Sequence, residues 1–223
     1  PRWEGKFLRR AVSDDENLQV VVLQRTAENK FLRLDVDDPE ELKAGFPRTR
    51  EELFKYRSII LGSVEASFFT HDQMQMIADF VSERGGGLMV LGGRNSFAQG
   101  GYDGTPIADA LPVFLDGDLG GGGGFFSKLK VSPTRAGLAH PSVQLWGSDD
   151  VIEERFEAPP PLTSLNPILR VKPGATVLLT GEDVETGAEQ VVLAHHRYGR
   201  GKVMTFPIQD SWLWQMHADV PLE

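Results

Sequence analysis

With 223 residues, 40% hydrophobic and 25% charged, the chain has the composition of a globular protein large enough to bury a sizeable core. Its formal net charge of -9, with no cluster of Lys and Arg to offset it, argues against nucleic acid as a partner. There is no cysteine, which removes disulfides, thiolate metal sites and thiol nucleophiles, and no apolar run approaches the roughly 20 residues of a membrane helix.

Residues 3–15 place Trp3, Phe7 and Val12 among charges and predict an amphipathic helix. The β-branched run over 18–23 predicts a first buried strand, and a turn at Ala27-Glu28-Asn29-Lys30 leads to a second extended piece over 31–34. Acidic residues over 35–41 read as surface loop. Thr49-Arg50-Glu51-Glu52 fits a capping box, in which hydroxyl and carboxylate each satisfy a free amide at a helix start. A short helix then leads to Ser58-Ile59-Ile60-Leu61-Gly62, a buried strand. Thr70 opens a helix whose Met74, Ile77, Ala78 and Val81 recur at helical spacing, with Gly85 as its stop. Residues 88–91 form the next buried strand.

Thr105-Pro106 is an N-cap and first-turn pair for a helix to Ala110. The run Gly120 to Gly124 reads as a loop, and Ala158-Pro159-Pro160-Pro161 as a rigid connector. Extended segments are expected over 128–131 and 166–171. The last third is β-rich, with strands over 176–180, 190–195 and 202–206 and a turn at Tyr198-Gly199-Arg200-Gly201.

Strands that are continuously apolar and alternate with helices predict an α/β fold. The expected form is a flavodoxin-like, doubly wound, mostly parallel sheet with helices on both faces, extended by the β-rich C-terminal part. The whole of 1–223 reads as a single domain. Because it starts at Pro1 and ends at Val220-Pro221-Leu222-Glu223 with no closing element, it reads as a fragment of a longer protein.

Ligands of parallel sheets collect at the carboxyl ends of the strands. Three segments qualify: Gly62-Ser63-Val64-Glu65, Gly92-Gly93-Arg94-Asn95-Ser96, and Gly100-Gly101-Tyr102-Asp103-Gly104-Thr105. Ser63, Glu65, Arg94, Asn95, Ser96 and Tyr102 are the candidate ligand-binding residues, weighed against the plainer reading that the glycines only permit a tight strand exit. A nucleophile elbow wants glycine two residues after its serine, and Ala98 stands there, which argues against a catalytic Ser96. His195 and His196 are strand neighbours and face opposite sides, and no His and carboxylate spacing matches a zinc motif. No metal and no cofactor is expected. Gly199-Arg200-Gly201-Lys202 lacks the longer loop and the Ser or Thr of a phosphate-binding motif, so a hairpin turn is the reading.

Further residues carry a family likeness: Gly62 to Thr70, Phe80-Val81 through Gly93, Gly100-Gly101-Tyr102 with Thr105-Pro106, Leu111-Pro112-Val113, Gly137-Leu138-Ala139-His140-Pro141, Tyr198 to Val203, and Asp210-Ser211-Trp212. In these the chain resembles the glutamine amidotransferase-like domains of the class I superfamily, in particular a bacterial subfamily that belongs to larger membrane-associated proteins. The resemblance implies a flavodoxin-like fold and a further helix after Glu223. It also implies a cysteine elbow with His and Glu partners, and here Gly92-Gly93-Arg94-Asn95 holds no cysteine, so no catalytic residue carries over.

The first expectation is therefore a non-catalytic binding or interaction module, soluble itself and not inserted in the membrane, within a membrane-anchored bacterial parent. Its partners would be other domains of the same polypeptide or envelope proteins, with a homo-oligomer left open. One alternative is a serine hydrolase on the same fold, using Ser96 with His140 or His217 as base. Another is carbohydrate binding, by likeness to trehalose-utilisation-type proteins, with Tyr102, Trp146 and Trp212 stacking on sugars.

Overall fold

The computed structural model describes residues 3–27, 30–115, 126–144, 152, 156–157, 159–168 and 170–216. They divide into two compact units, Pro1–Glu52 and Leu53–Glu223.

In the first unit α1 (Trp3–Val12) forms as its pattern predicts, with Trp3 and Phe7 rings 6.5 Å apart on one side. The run over 18–23 is not a buried strand of a parallel sheet. Leu18 is exposed, and β1 (Val22–Ala27) pairs only with β2 (Lys30–Leu34), antiparallel, in a separate hairpin. Arg9 holds the end of β2 by a two-pronged pair with Asp35, at 2.5 and 2.9 Å. At the one-turn α2 (Arg50–Leu53) the capping pattern is half met. Thr49 Oγ1 accepts from Glu52 N at 3.3 Å, but the Glu52 carboxylate accepts from Arg48 N at 3.0 Å rather than reaching Thr49.

The second unit is built on seven strands: β3 (Ser58–Gly62), β4 (Gly87–Leu91), β5 (Phe126–Pro133), β6 (Leu162–Ser164), β7 (Thr176–Asp183), β8 (Glu189–Tyr198) and β9 (Gly201–Phe206). Their order in the sheet is β3-β4-β9-β8-β7-β5-β6, and the sheet curls into a half-barrel. Only β3, β4 and β9 run parallel; every other neighbour pair is antiparallel.

This corrects the doubly wound, flavodoxin-like expectation. Gly199, with φ +58, turns β8 directly into β9, and β9 takes the place beside β4 where a doubly wound sheet would seat a strand delivered by a crossover helix. From there the sheet grows by hairpins, which need no helices. Nor are both faces of the parallel part covered: on the edge strand β3, Leu61 is buried while Ile60 is 41% exposed. Continuous apolar runs therefore marked an edge and its neighbours rather than a helix-wrapped centre. The C-terminal strands do join the same sheet, as their pattern suggested.

The helices of this unit are short apart from α3 (His71–Ser82), which has a reciprocal capping box between Thr70 and Gln73. It buries Ile77, Phe80 and Val81 and packs against β9 and α4 (Pro106–Ala110). Thr105 caps α4 as predicted, and the carbonyls at its far end are answered by Lys172 Nζ, 2.7 Å from Ala108 O, and His196 Nε2, 2.8 Å from Ala110 O. A second apolar cluster gathers Leu129, Val131, Leu162, Leu165, Leu178, Val192 and Ile208, flanked by α5 (Arg135–Leu138) through Leu138 and by α6 (Leu213–Met216) through Trp214. No helix among the described residues is long and apolar enough to cross a membrane.

Candidate functional site

β3 and β4 lie in parallel register with Gly62 beside Leu91, so the two loops that leave them emerge on one edge of the sheet. Hydrogen bonds stitch these loops together. Ser96 Oγ accepts from Ser63 N at 3.2 Å, Tyr102 Oη donates to Val64 O at 2.8 Å, and Asn95 Nδ2 donates to Glu65 Oε2 at 3.3 Å. The sequence-predicted Ser63, Glu65, Asn95, Ser96 and Tyr102 thus meet at one corner. Arg94 leans away from them, its guanidinium 5.6 Å from the ring of Phe126 at the start of β5.

Burial sorts these side chains by role. Ser96 and Tyr102 are each 2% exposed and serve as internal ties, while Arg94 and Asn95 face solvent. Burial, and next the Glu65 carboxylate, push the Tyr102 phenol well above its ordinary range, so it stays protonated and donates. Tyr102 is therefore not a stacking platform. Two backbones here are held in the left-handed region without being glycine: Ser63 at φ 53 and Phe97 at φ 54.

The residue that holds the corner is one the sequence reading passed over. Asn166 is fully buried; its Oδ1 accepts from Gly93 N at 2.7 Å, and its Nδ2 faces Gly93 O at 2.9 Å, Gln99 Oε1 at 2.9 Å and Ser96 O at 3.4 Å. Its own amide donates to Pro207 O at 2.8 Å, which ties the turn after β4 to the exit of β9. Asp210, also buried, accepts from Thr163 N and Thr163 Oγ1, both at 2.7 Å, and from Ser164 N at 3.3 Å. The available signal was the Asn166-Pro167 pair, a turn-forming dipeptide shortly after β6.

The triad of the hydrolase alternative is not assembled among the described residues. His140 lies against His195, with ring centroids 4.7 Å apart, and its Nδ1 accepts from Ser142 N. No hydrogen bond joins it to Ser96, whose hydroxyl oxygen is already committed to Ser63. Of the other candidates, His217 and Trp146 lie outside the described residues, and Trp212 is half-buried. Burial, then His140, Lys202 and His196, lower the pKa of His195. Among the described residues no group of His, Asp and Glu is placed to hold a metal ion. A depression of about 260 Å³ lined by Lys130, Ser132, Thr180, Glu182, Gly187 and Glu189 shares no residue with the corner.

No protein-family model matches the chain, and no curated protein matches it. Among solved structures, it is similar to cytoplasmic protein STM1381 from Salmonella typhimurium LT2, with a TM-score of 0.58 and 20% identity over 91% of each chain. It is similar also to cytoplasmic protein STM3548 from Salmonella typhimurium, with a TM-score of 0.57 and 20% identity over 89% of this chain and 87% of that one. A β-galactosidase from Rahnella sp. R3 aligns at a TM-score of 0.41 and 15% identity, over 70% of this chain and 20% of its own length.

The first two likenesses show a shared fold. The sheet order above withdraws the flavodoxin-like label that the sequence suggested, and the comparisons give no support to the membrane-associated one: the two proteins are themselves described as cytoplasmic. Nothing in the comparisons points to an amidotransferase.

Proposed function

We propose that the chain is a non-catalytic binding domain that holds a small polar ligand at the corner where the loops after β3 and β4 meet. The observation that carries this is the Asn166 side chain, which fixes Gly93, Ser96 and Gln99 from beneath and leaves Arg94 and Asn95 exposed above. A rigid base under outward polar groups is what a pre-organised site requires. The strained backbones of Ser63 and Phe97 support the same reading, since such conformations gather where a ligand is clamped. Ser96 is a tie in this account, not a nucleophile.

Two measurements test it. A fluorophosphonate probe is expected to leave Ser96 unlabelled; labelling lost in Ser96→Ala would overturn the non-catalytic reading. A thermal-shift panel of polar metabolites is expected to yield compounds that stabilise the protein and lose that effect in Arg94→Glu. Compounds that act equally on the variant would place the site elsewhere.

A further inference from the structure

The two edges of the seven-stranded sheet are finished differently. Beside β6 the chain over 207–210 runs as a further segment: Leu165 bridges Ile208, Gln209 N donates to Ser164 O at 3.3 Å, and the Asp210 carboxylate accepts from Thr163 N and Ser164 N. Beside β3, the other edge strand, no segment is paired among the described residues.

The phase of the ladder shows which groups of β3 are left over. Gly87 N donates to Arg57 O at 3.1 Å, and Ser63 N turns to Ser96 Oγ on the loop after β4, so the odd-numbered backbone groups from Arg57 to Ser63 face β4. The amides and carbonyls of Ser58, Ile60 and Gly62 therefore point away from the sheet. Proteins ordinarily blunt such an edge with a charge, a proline or a bulge, because a bare one is a template for another strand. β3 has none of these. Ser58-Ile59-Ile60-Leu61-Gly62 is uncharged, lies against β4 in unbroken register, and carries Ile60 at 41% exposure. The hairpin strands β1 and β2, by contrast, carry Arg25, Lys30 and Arg33.

The strand is also complementary to itself. Two copies joined antiparallel through these outward groups must set an outward residue opposite an outward residue. The register that uses all five residues puts Ile60 opposite Ile60, Ile59 opposite Leu61 and Ser58 opposite Gly62, so large meets large and small meets small. Residues directly opposite share a face, and the exposed Ile60 of each copy covers the other. At each end Arg57 falls opposite Ser63 of the partner subunit, two residues from Glu65 of the partner subunit, a diagonal that a long side chain crosses. Opposite charges thus meet twice about the two-fold axis.

We infer that two copies of this chain associate through β3, antiparallel about Ile60, which joins their sheets into one and brings each Arg57 to the corner of the other copy, beside Glu65 of the partner subunit. The association stands apart from the ligand reading above.

Sedimentation equilibrium of the protein from micromolar to millimolar concentration is expected to show monomer and dimer in exchange; a monomer throughout would overturn the inference. Ile60→Lys sets two ammonium groups opposite one another across the axis and is expected to raise the dimer Kd about tenfold or more, with the circular dichroism spectrum unchanged because the position is exposed. A dimer undiminished in that variant would place the contact elsewhere and overturn the inference. The chain has no cysteine, so one introduced thiol reports the register even where Ile60→Lys fails to fold. Hydrogen-bonded antiparallel partners lie about 5.5 Å apart at Cα, within disulfide reach. Ile60→Cys is expected to give a cross-linked dimer on oxidation with diamide, and Ser58→Cys, about 13 Å from its own counterpart, is not. Cross-linking of Ser58→Cys as fast as that of Ile60→Cys would overturn the register. Arg57→Glu is expected to weaken association, and less so at high salt; an unchanged Kd would overturn the placement of Arg57 at the other copy's corner.

Discussion

The side-chain amide of Asn166 and the peptide of Gly93 exchange two hydrogen bonds, N to Oδ1 at 2.7 Å and Nδ2 to O at 2.9 Å. The two residues are 73 positions apart in the chain. The ring they close does for the turn after β4 what a neighbouring strand does for a ladder: it answers a buried donor and a buried acceptor at once. Everything proposed for the corner depends on this tie.

Asn166→Ala is expected to lower stability by about 3 kcal/mol, because the amide and carbonyl of Gly93 lose their partner where water cannot replace it. Urea unfolding measures this. A variant as stable as the parent would show that the turn after β4 does not need the tie.

Ser96→Ala removes the acceptor of Ser63 N at a strained position. The expected loss is about 1 kcal/mol, read from the midpoint of the same urea transition.

Tyr102→Phe deletes the bond to Val64 O and is expected to lose about 1 kcal/mol. The folded phenol also carries a pH signature. Its pKa is raised in the folded state, so above pH of about 10 the unfolded chain releases protons that the folded one retains. Stability is expected to fall as pH climbs through that range. Ultraviolet titration of tyrosinate should show Tyr102 lagging until the protein unfolds.

His195 works in the acid direction. Its folded pKa is lowered, first by burial and then by His140, Lys202 and His196, so the unfolded state takes up its proton first. Stability contributed by the neutral ring is present above the unfolded pKa of about 6.5 and declines as pH falls below it. His195→Gln should flatten the stability profile between neutral and mildly acid pH. An unchanged slope would assign the acid sensitivity to other groups.

Gly92→Ala tests how closely the exits of β4 and β9 approach. A Cβ at residue 92 would lie 2.2 Å from the backbone carbon of Pro207. The strands must part to admit it, and the expected cost is about 1–3 kcal/mol, with the corner displaced. Loss of ligand response in the thermal-shift panel, alongside the lower Tm, would mark that displacement.

Much of the corner was legible before the structure. Ser63, Glu65, Asn95, Ser96 and Tyr102 could be named because strand exits in a parallel pair fall on one edge, and β3 and β4 are indeed such a pair. Their division of labour was not legible. Tyr102 looked like a ligand-binding or stacking ring, and only its 2% exposure and its bond to Val64 O show it to be an internal tie. Asn166 could be read as part of a turn from the proline after it, but not as the tie under Gly93, because it comes to the corner from a segment 73 positions away.

The sheet divides in the same way. Local pattern was enough for the capped helix after Thr70, the Thr105-Pro106 start of α4, and the hairpin at Gly199, because caps and turns are decided by residues a few positions apart. By itself the sequence determined these local elements, the absence of any thiol chemistry, and which strand exits could carry a site. The tertiary structure alone decided that β9 lies between β4 and β8, that β1 and β2 stand in a sheet of their own, and that Asn166 sits under Gly93. An apolar run records that a strand has apolar surface to cover. It does not record which strand lies beside it, since strand pairing joins residues through backbone groups that every sequence shares.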